Sequence, residues 1–155
     1  LNIKNREKEI EEIVNGVFKI IDKDNIDEIK YDVISRGCPH EPKGLPKNKM
    51  GIYMFIYGDR FLKIGRVGNK SNARFVSQHY NPNSSKSNLA KSILKDEDMK
   101  DFNLDEKSVG KWIKDECFRI DILVDDSLGI RALSVIESIL QYKYKPIYEG
   151  FKSQR

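Results

Sequence analysis

The stretch from Gly51 to Gly65 limits the fold more than any other part of the chain. Gly51–Ile56 reads GIYMFI, apolar on both faces and rich in β-formers, which describes a buried strand. Tyr57-Gly58-Asp59-Arg60 supplies turn residues, and Phe61–Gly65 (FLKIG) reads as the return strand of a hairpin. Asn69 to His79 is a candidate helix with Asn69 or Ser71 placed to cap it, followed by a polar loop over Asn81–Ser87. Leu89, Ile93 and Leu94 form a short apolar-periodic piece, Asp96–Glu106 is acidic and expected to be exposed, and Val109–Lys114 suits a helix around Trp112 and Ile113. Phe118–Val124 (FRIDILV) alternates as a third strand, and Asp125-Asp126-Ser127 offers caps for a helix over Leu128–Tyr144 that ends before Pro146. The order of hairpin, helices, strand and helix predicts a small α+β domain. Its sheet is three-stranded, mainly antiparallel and flanked by helices.

Ahead of the hairpin the chain reads differently. Ile10, Ile13, Val14 and Val17 recur at helical spacing within an amphipathic helix over Asn5–Val17. Ile26–Ser35 sets a few aliphatic residues among charges, and Arg36–Lys49 carries three prolines and two glycines, a loop with little to bury. Residues 1–45 therefore read as an N-terminal helical extension and loop, and residues 46–155 as the main domain. No apolar run approaches the ~20 residues of a membrane span, and no signal-peptide pattern opens the chain. With only Cys38 and Cys117, far apart, the expectation is a cytoplasmic protein with reduced thiols. A net charge of +4 permits an anionic partner without demanding one.

Gly51-Ile52-Tyr53, followed after nine residues by Lys63-Ile64-Gly65, resembles the paired motif of the GIY-YIG nucleases. Arg74 stands on the next helix, where that family keeps an arginine, and Glu137 on the late helix, where it keeps a metal-binding glutamate. The resemblance spans about Lys49 to Glu149 and leaves the N-terminal part unexplained. Lys63 replaces the second motif tyrosine, as in some restriction-type members. Glu149 aligns with the family's asparagine and is assigned no catalytic role. The resemblance implies a DNA endonuclease, acting on double-stranded substrate, with Mg²⁺ or Mn²⁺ held by Glu137.

The chemistry fits those residue types. Cutting a phosphodiester needs an activated water, charge neutralisation on the phosphoryl oxygens and help for the leaving oxygen. Tyr53 is then the expected general base, its pKa lowered by the neighbouring cation Lys63, and Arg74 the clamp on non-bridging oxygens. One carboxylate, Glu137, suffices as metal ligand where water and phosphate oxygens complete an octahedral shell. Hairpin parity is the test of this arrangement. A three-residue loop sets Tyr53 opposite Lys63, whereas a two-residue Gly58-Asp59 turn sends them to opposite faces unless a bulge restores the parity.

Each residue also has an ordinary reading. Tyr53 suits a core aromatic, Lys63 a snorkelling edge residue, Arg74 a solvated cation and Glu137 a salt-bridged carboxylate, since paired carboxylates outnumber metal ligands. His79, at a helix end, is a secondary catalytic candidate whose plainer role is a surface or capping residue. Cys38-Pro39-His40 resembles half a zinc site with no second pair, and chance explains it better. Lys70, Ser85, Lys86, Lys143 and Lys145, with Lys152 and Arg155 in the tail, are candidate phosphate contacts that position a duplex without reading it. Besides the nuclease, two readings stay open: a nucleic-acid-binding domain that has lost catalysis, and an interaction module forming a homodimer through its N-terminal helix.

Overall fold

A computed structural model describes residues 3–21 and 30–149 of the chain. Residues 26–29 of the Ile26–Ser35 segment and the tail cations Lys152 and Arg155 lie outside those residues. Helix α1 (Ile3–Ile21) precedes strand β1 (Tyr31–Gly37) and the hairpin β2 (Lys49–Tyr57) and β3 (Arg60–Val67). Three helices follow, α2 (Asn72–Val76), α3 (Leu89–Lys95) and α4 (Val109–Glu116), then β4 (Phe118–Asp125) and α5 (Gly129–Tyr144). No helix among the described residues is long and apolar enough to cross a membrane.

The sheet has four antiparallel strands in the order β1-β4-β2-β3, one more than the sequence reading expects. The added strand comes from the segment taken as an extension. Tyr31–Gly37 pairs along β4, and its half-buried side chains lack the alternation that marks an amphipathic strand. Helix α1 likewise belongs to the core, because Ile10, Val14, Val17 and Phe18 pack with Ile52, Met54, Ile120 and Ile122 on one sheet face. Helix α5 covers the same face through Leu133, Ile136 and Leu140. The opposite face, with Tyr53, Phe55 and Leu62, packs against α2, α3 and α4 through Phe75, Leu89, Ile93, Val109 and Ile113. Helices on both faces account for the continuous apolarity of GIYMFI.

Other elements depart from expectation in detail. The helix expected over Asn69–His79 is only five residues long, with no side-chain cap from Ser71, and a 3-10 turn at Gln78–Tyr80 follows it. Asn69 instead donates to Asp126 at 2.8 Å, tying the loop after β3 to the turn before α5. The acidic stretch holds a 3-10 segment, Glu97–Phe102, that buries Met99. Asn88, not foreseen, caps α3 by accepting from the Lys91 N–H at 2.8 Å.

Candidate active site

The hairpin turns on two residues, with Gly58 at φ +61, and Tyr57 faces Arg60. This turn alone would separate Tyr53 from Lys63. A bulge at Leu62 shifts the register, so that Phe55 faces Lys63 and Tyr53 faces Gly65. Tyr53 and Lys63 thus share a face as diagonal neighbours. On β4, Asp121 stands opposite Tyr53 and Arg119 opposite Phe55. Two rows of side chains cross the sheet here, Asp121–Tyr53–Gly65 and Arg119–Phe55–Lys63.

Both motif glycines make room for specific rings. A Cβ on Gly65 would lie 2.2 Å from the Tyr53 hydroxyl and 2.6 Å from its Cζ, so the phenol folds over bare β3 backbone. A Cβ on Gly51 would lie 2.8 Å from the Phe75 ring. Phe75 seats α2 against the sheet, and its neighbour Arg74 donates Nε–H to the Tyr53 hydroxyl at 3.3 Å. The cation touching Tyr53 is therefore Arg74. Lys63, buried at 2% side-chain exposure, instead pairs with Glu149 at 2.5 Å.

Tyr53 is fully buried, and burial pushes its phenol up to about 12 despite the opposing charge and hydrogen bond of Arg74. Removing that proton at pH 7 costs roughly 7 kcal/mol, which works against the base role expected for Tyr53. His79 lies under the Tyr53 ring, with centroids 4.3 Å apart, and is 1% exposed, so the structure places it behind the tyrosine and away from solvent. The Leu89 N–H donates to His79 Nδ1 at 3.3 Å, which leaves the proton on Nε2. Burial, then the cations Lys63, Arg74 and Arg119, hold its pKa well below the usual histidine value. Nε2 has no hydrogen-bond partner among the described residues.

A buried polar network lies beside this group. Arg119, with no exposed surface, donates to Asp121 at 2.8 Å, to the Tyr80 hydroxyl at 2.7 Å and to the Phe75 carbonyl at 2.9 Å. Arg36 Nε donates to the other Asp121 oxygen at 2.7 Å. His40 donates from Nδ1 to the Cys117 carbonyl, so its Nε2 accepts from the Tyr80 hydroxyl at 2.8 Å. The network grips the end of α2 and the 3-10 turn, the two pieces that carry Arg74 and His79. The alternation of FRIDILV already places Arg119 and Asp121 on one face, a signal of a buried pair that the sequence reading passes over.

Glu137 sits on α5, half-buried and ion-paired with Arg66 of β3. The charges of Glu137 and Glu149 add a smaller upward push to the Tyr53 phenol. Among the described residues, no group of three or more His, Cys, Asp or Glu side chains could hold a metal ion. A Mg²⁺ ion anchored by one hard carboxylate oxygen and otherwise by water and phosphate needs no such group, and Glu137, here paired with Arg66 from the α5 side of the sheet, carries such an oxygen. Cys38 and Cys117 carry free thiols, and His40 is hydrogen-bonded to the Cys117 carbonyl and the Tyr80 hydroxyl.

The candidate phosphate contacts are scattered. Lys70 is exposed on the loop before α2, and Lys86 is exposed beside Ser85, whose hydroxyl donates to the Ser87 carbonyl. Lys143 is paired with Glu9 at 2.8 Å. Lys145 lines a cavity of about 320 Å³ with Arg6, Arg60 and Tyr144, at the end of α5 and apart from Tyr53 and Arg74. Comparison of the chain with protein-family models, with curated proteins and with solved structures finds no match.

Proposed function

We propose that the chain is a divalent-metal-dependent endonuclease that hydrolyses phosphodiester bonds in double-stranded DNA. The observation that carries this reading is the contact of the Arg74 guanidinium with the Tyr53 hydroxyl over Gly65. Arg74 forks onto non-bridging phosphoryl oxygens and offsets their charge. Tyr53, fully buried, keeps its proton and accepts the Arg74 Nε–H, which holds the guanidinium in position. Glu137 would hold the cation, which supplies charge neutralisation at the phosphate and the leaving oxygen.

A second reading is a nucleic-acid-binding domain of the same fold without catalysis. It is favoured by the ion pairs that engage both site carboxylates, Glu137 with Arg66 and Glu149 with Lys63. Supercoiled plasmid incubated with the protein in Mg²⁺, Mn²⁺ or EDTA separates the two. Nicking that requires the cation and is lost in Glu137→Ala supports the nuclease. Binding that weakens steeply with salt, with no cutting under any condition, supports the second reading.

A further inference from the structure

Away from Tyr53 and Arg74, helix α1, the hairpin turn and the end of α5 surround the cavity of about 320 Å³. Four cations line it, Arg6, Arg60, Lys143 and Lys145, against one carboxylate, Asp59. Its wall is already held in place by the protein. The Phe61 and Tyr144 rings stack with centroids 4.2 Å apart, and the Arg6 guanidinium lies 5.3 and 5.4 Å from those centroids. Glu9 accepts from the Tyr144 hydroxyl at 2.9 Å and pairs with Lys143 at 2.8 Å and with Arg6 at 3.8 Å. The Ile147 N–H donates to the Phe61 carbonyl at 3.1 Å, which ties the turn after α5 to β3.

The charges around this space do not balance. Glu9 and Asp59 offset two of the four cations. Arg60 and Lys145 are exposed and pair with no carboxylate among the described residues. The C-terminal end of α5 offsets only about half a charge more. Lys145 also takes left-handed backbone at φ 46, where glycine is the usual residue, so this cation is kept on the cavity wall against its own conformational preference. Like charges gathered around one space repel, and an anion inside relieves them. A phosphate monoester carries about −1.5 to −2 at pH 7, close to the surplus, whereas a nucleic-acid backbone diester carries a single charge. The volume lies at the low end for small-ligand pockets, which suits a compact phosphorylated group. We propose that the cavity is a binding site for a phosphate monoester. Arg60 and Lys145 supply the unmatched charge, and Arg6, fixed over the two rings, supplies a planar fork for its oxygens. This site is independent of the nuclease reading.

The test is calorimetric titration of the full chain with methyl phosphate and, at matched ionic strength, with dimethyl phosphate, which carries one charge fewer. Methyl phosphate is expected to half-saturate at about 0.1–1 mM, and dimethyl phosphate to bind about tenfold more weakly. Arg60→Gln and Lys145→Gly should each weaken methyl phosphate by about tenfold. Glycine suits the left-handed position, so Lys145→Gly loses binding at an unchanged or raised melting temperature, which separates the effect from unfolding. Lys111→Gln, which removes a cation of α4 outside the cavity, keeps wild-type affinity. Oligonucleotides with and without a 5′-phosphate identify the source of the group. A preference for the phosphorylated end places the monoester on nucleic acid, and methyl phosphate binding without that preference places it on a free small molecule; both support the site. Equal affinity for the two methyl esters, wild-type affinity in Arg60→Gln and Lys145→Gly, an equal loss in Lys111→Gln, or no saturable binding at millimolar concentrations would overturn it.

Discussion

Replacing Gly65 by alanine tests the geometry on which the candidate site is built. The new Cβ would stand 2.2 Å from the Tyr53 hydroxyl, 2.6 Å from Cζ and 3.0 Å from Cε2, against an ordinary carbon contact of about 3.5–4.0 Å. The ring has little room to retreat, with His79 at 4.3 Å and Phe55 at 5.9 Å between centroids. Forcing a group into such packing costs about 1–3 kcal/mol. Displacing the hydroxyl also loses the Arg74 hydrogen bond, worth roughly 1.5 kcal/mol at its 3.3 Å length. Alanine's stiffer unfolded chain returns about 0.4–1 kcal/mol. The net loss of about 2–3 kcal/mol corresponds to a fall in melting temperature of about 4–12 °C for a chain of this size. Urea unfolding followed by circular dichroism measures it in Gly65→Ala, Tyr53→Phe and the double variant. Because Tyr53→Phe removes the nearest atom, Gly65→Ala should cost about 1 kcal/mol less in that background. A Gly65→Ala midpoint equal to wild type, or an equal cost in both backgrounds, refutes the reasoning.

Burial holds the folded-state pKa of His79 below its unfolded value, so the unfolded chain binds the extra proton and stability falls as pH drops through about 6.5. Between pH 7.5 and 5.5, His79 should cost the fold about 1.4 kcal/mol, a difference that urea midpoints at the two pH values show shrinking in His79→Phe. Arg119→Met leaves the fully buried Asp121 with Arg36 alone and should destabilise by about 3–5 kcal/mol in thermal or urea melts. A loss under about 1 kcal/mol would show that the network does not hold α2 in place. In anisotropy titrations of a labelled duplex, Lys145→Ala and Lys70→Ala should each lower the salt slope by about 1. Lys143→Ala, whose charge Glu9 already holds, should leave that slope almost unchanged.

Most of the scaffold was legible because its signals are local. GIYMFI, FLKIG and FRIDILV carry their own burial patterns, and α5 stops before Pro146 as expected, but Asp125 caps the 3-10 turn Asp126–Leu128 and α5 itself starts at Gly129 with no side-chain cap. Strand β1 was not legible, because an edge strand that half-buries charged and aliphatic residues alike has no periodicity to detect. The bulge at Leu62 left no mark in composition, although the parity argument showed that only an odd loop or a bulge could bring Tyr53 and Lys63 to one face. Pairings between distant segments were invisible for the same reason. The partners of Lys63 and Glu137, namely Glu149 and Arg66, depend on how α5 and its following turn lie along β3. The burial of His79 follows from the early end of α2, which a cap count at Asn69 or Ser71 could not foresee.

Gly51 and Gly65 are moulds for Phe75 and Tyr53, so the identity of each glycine is set by a residue far from it in sequence. A descendant of this chain could therefore lose a motif glycine and stay folded, provided the matching ring shrank in the same step. Such a protein would fail any search keyed to the tripeptides, and a smaller residue at position 53 or 75 beside a filled glycine would be the trace by which to find it.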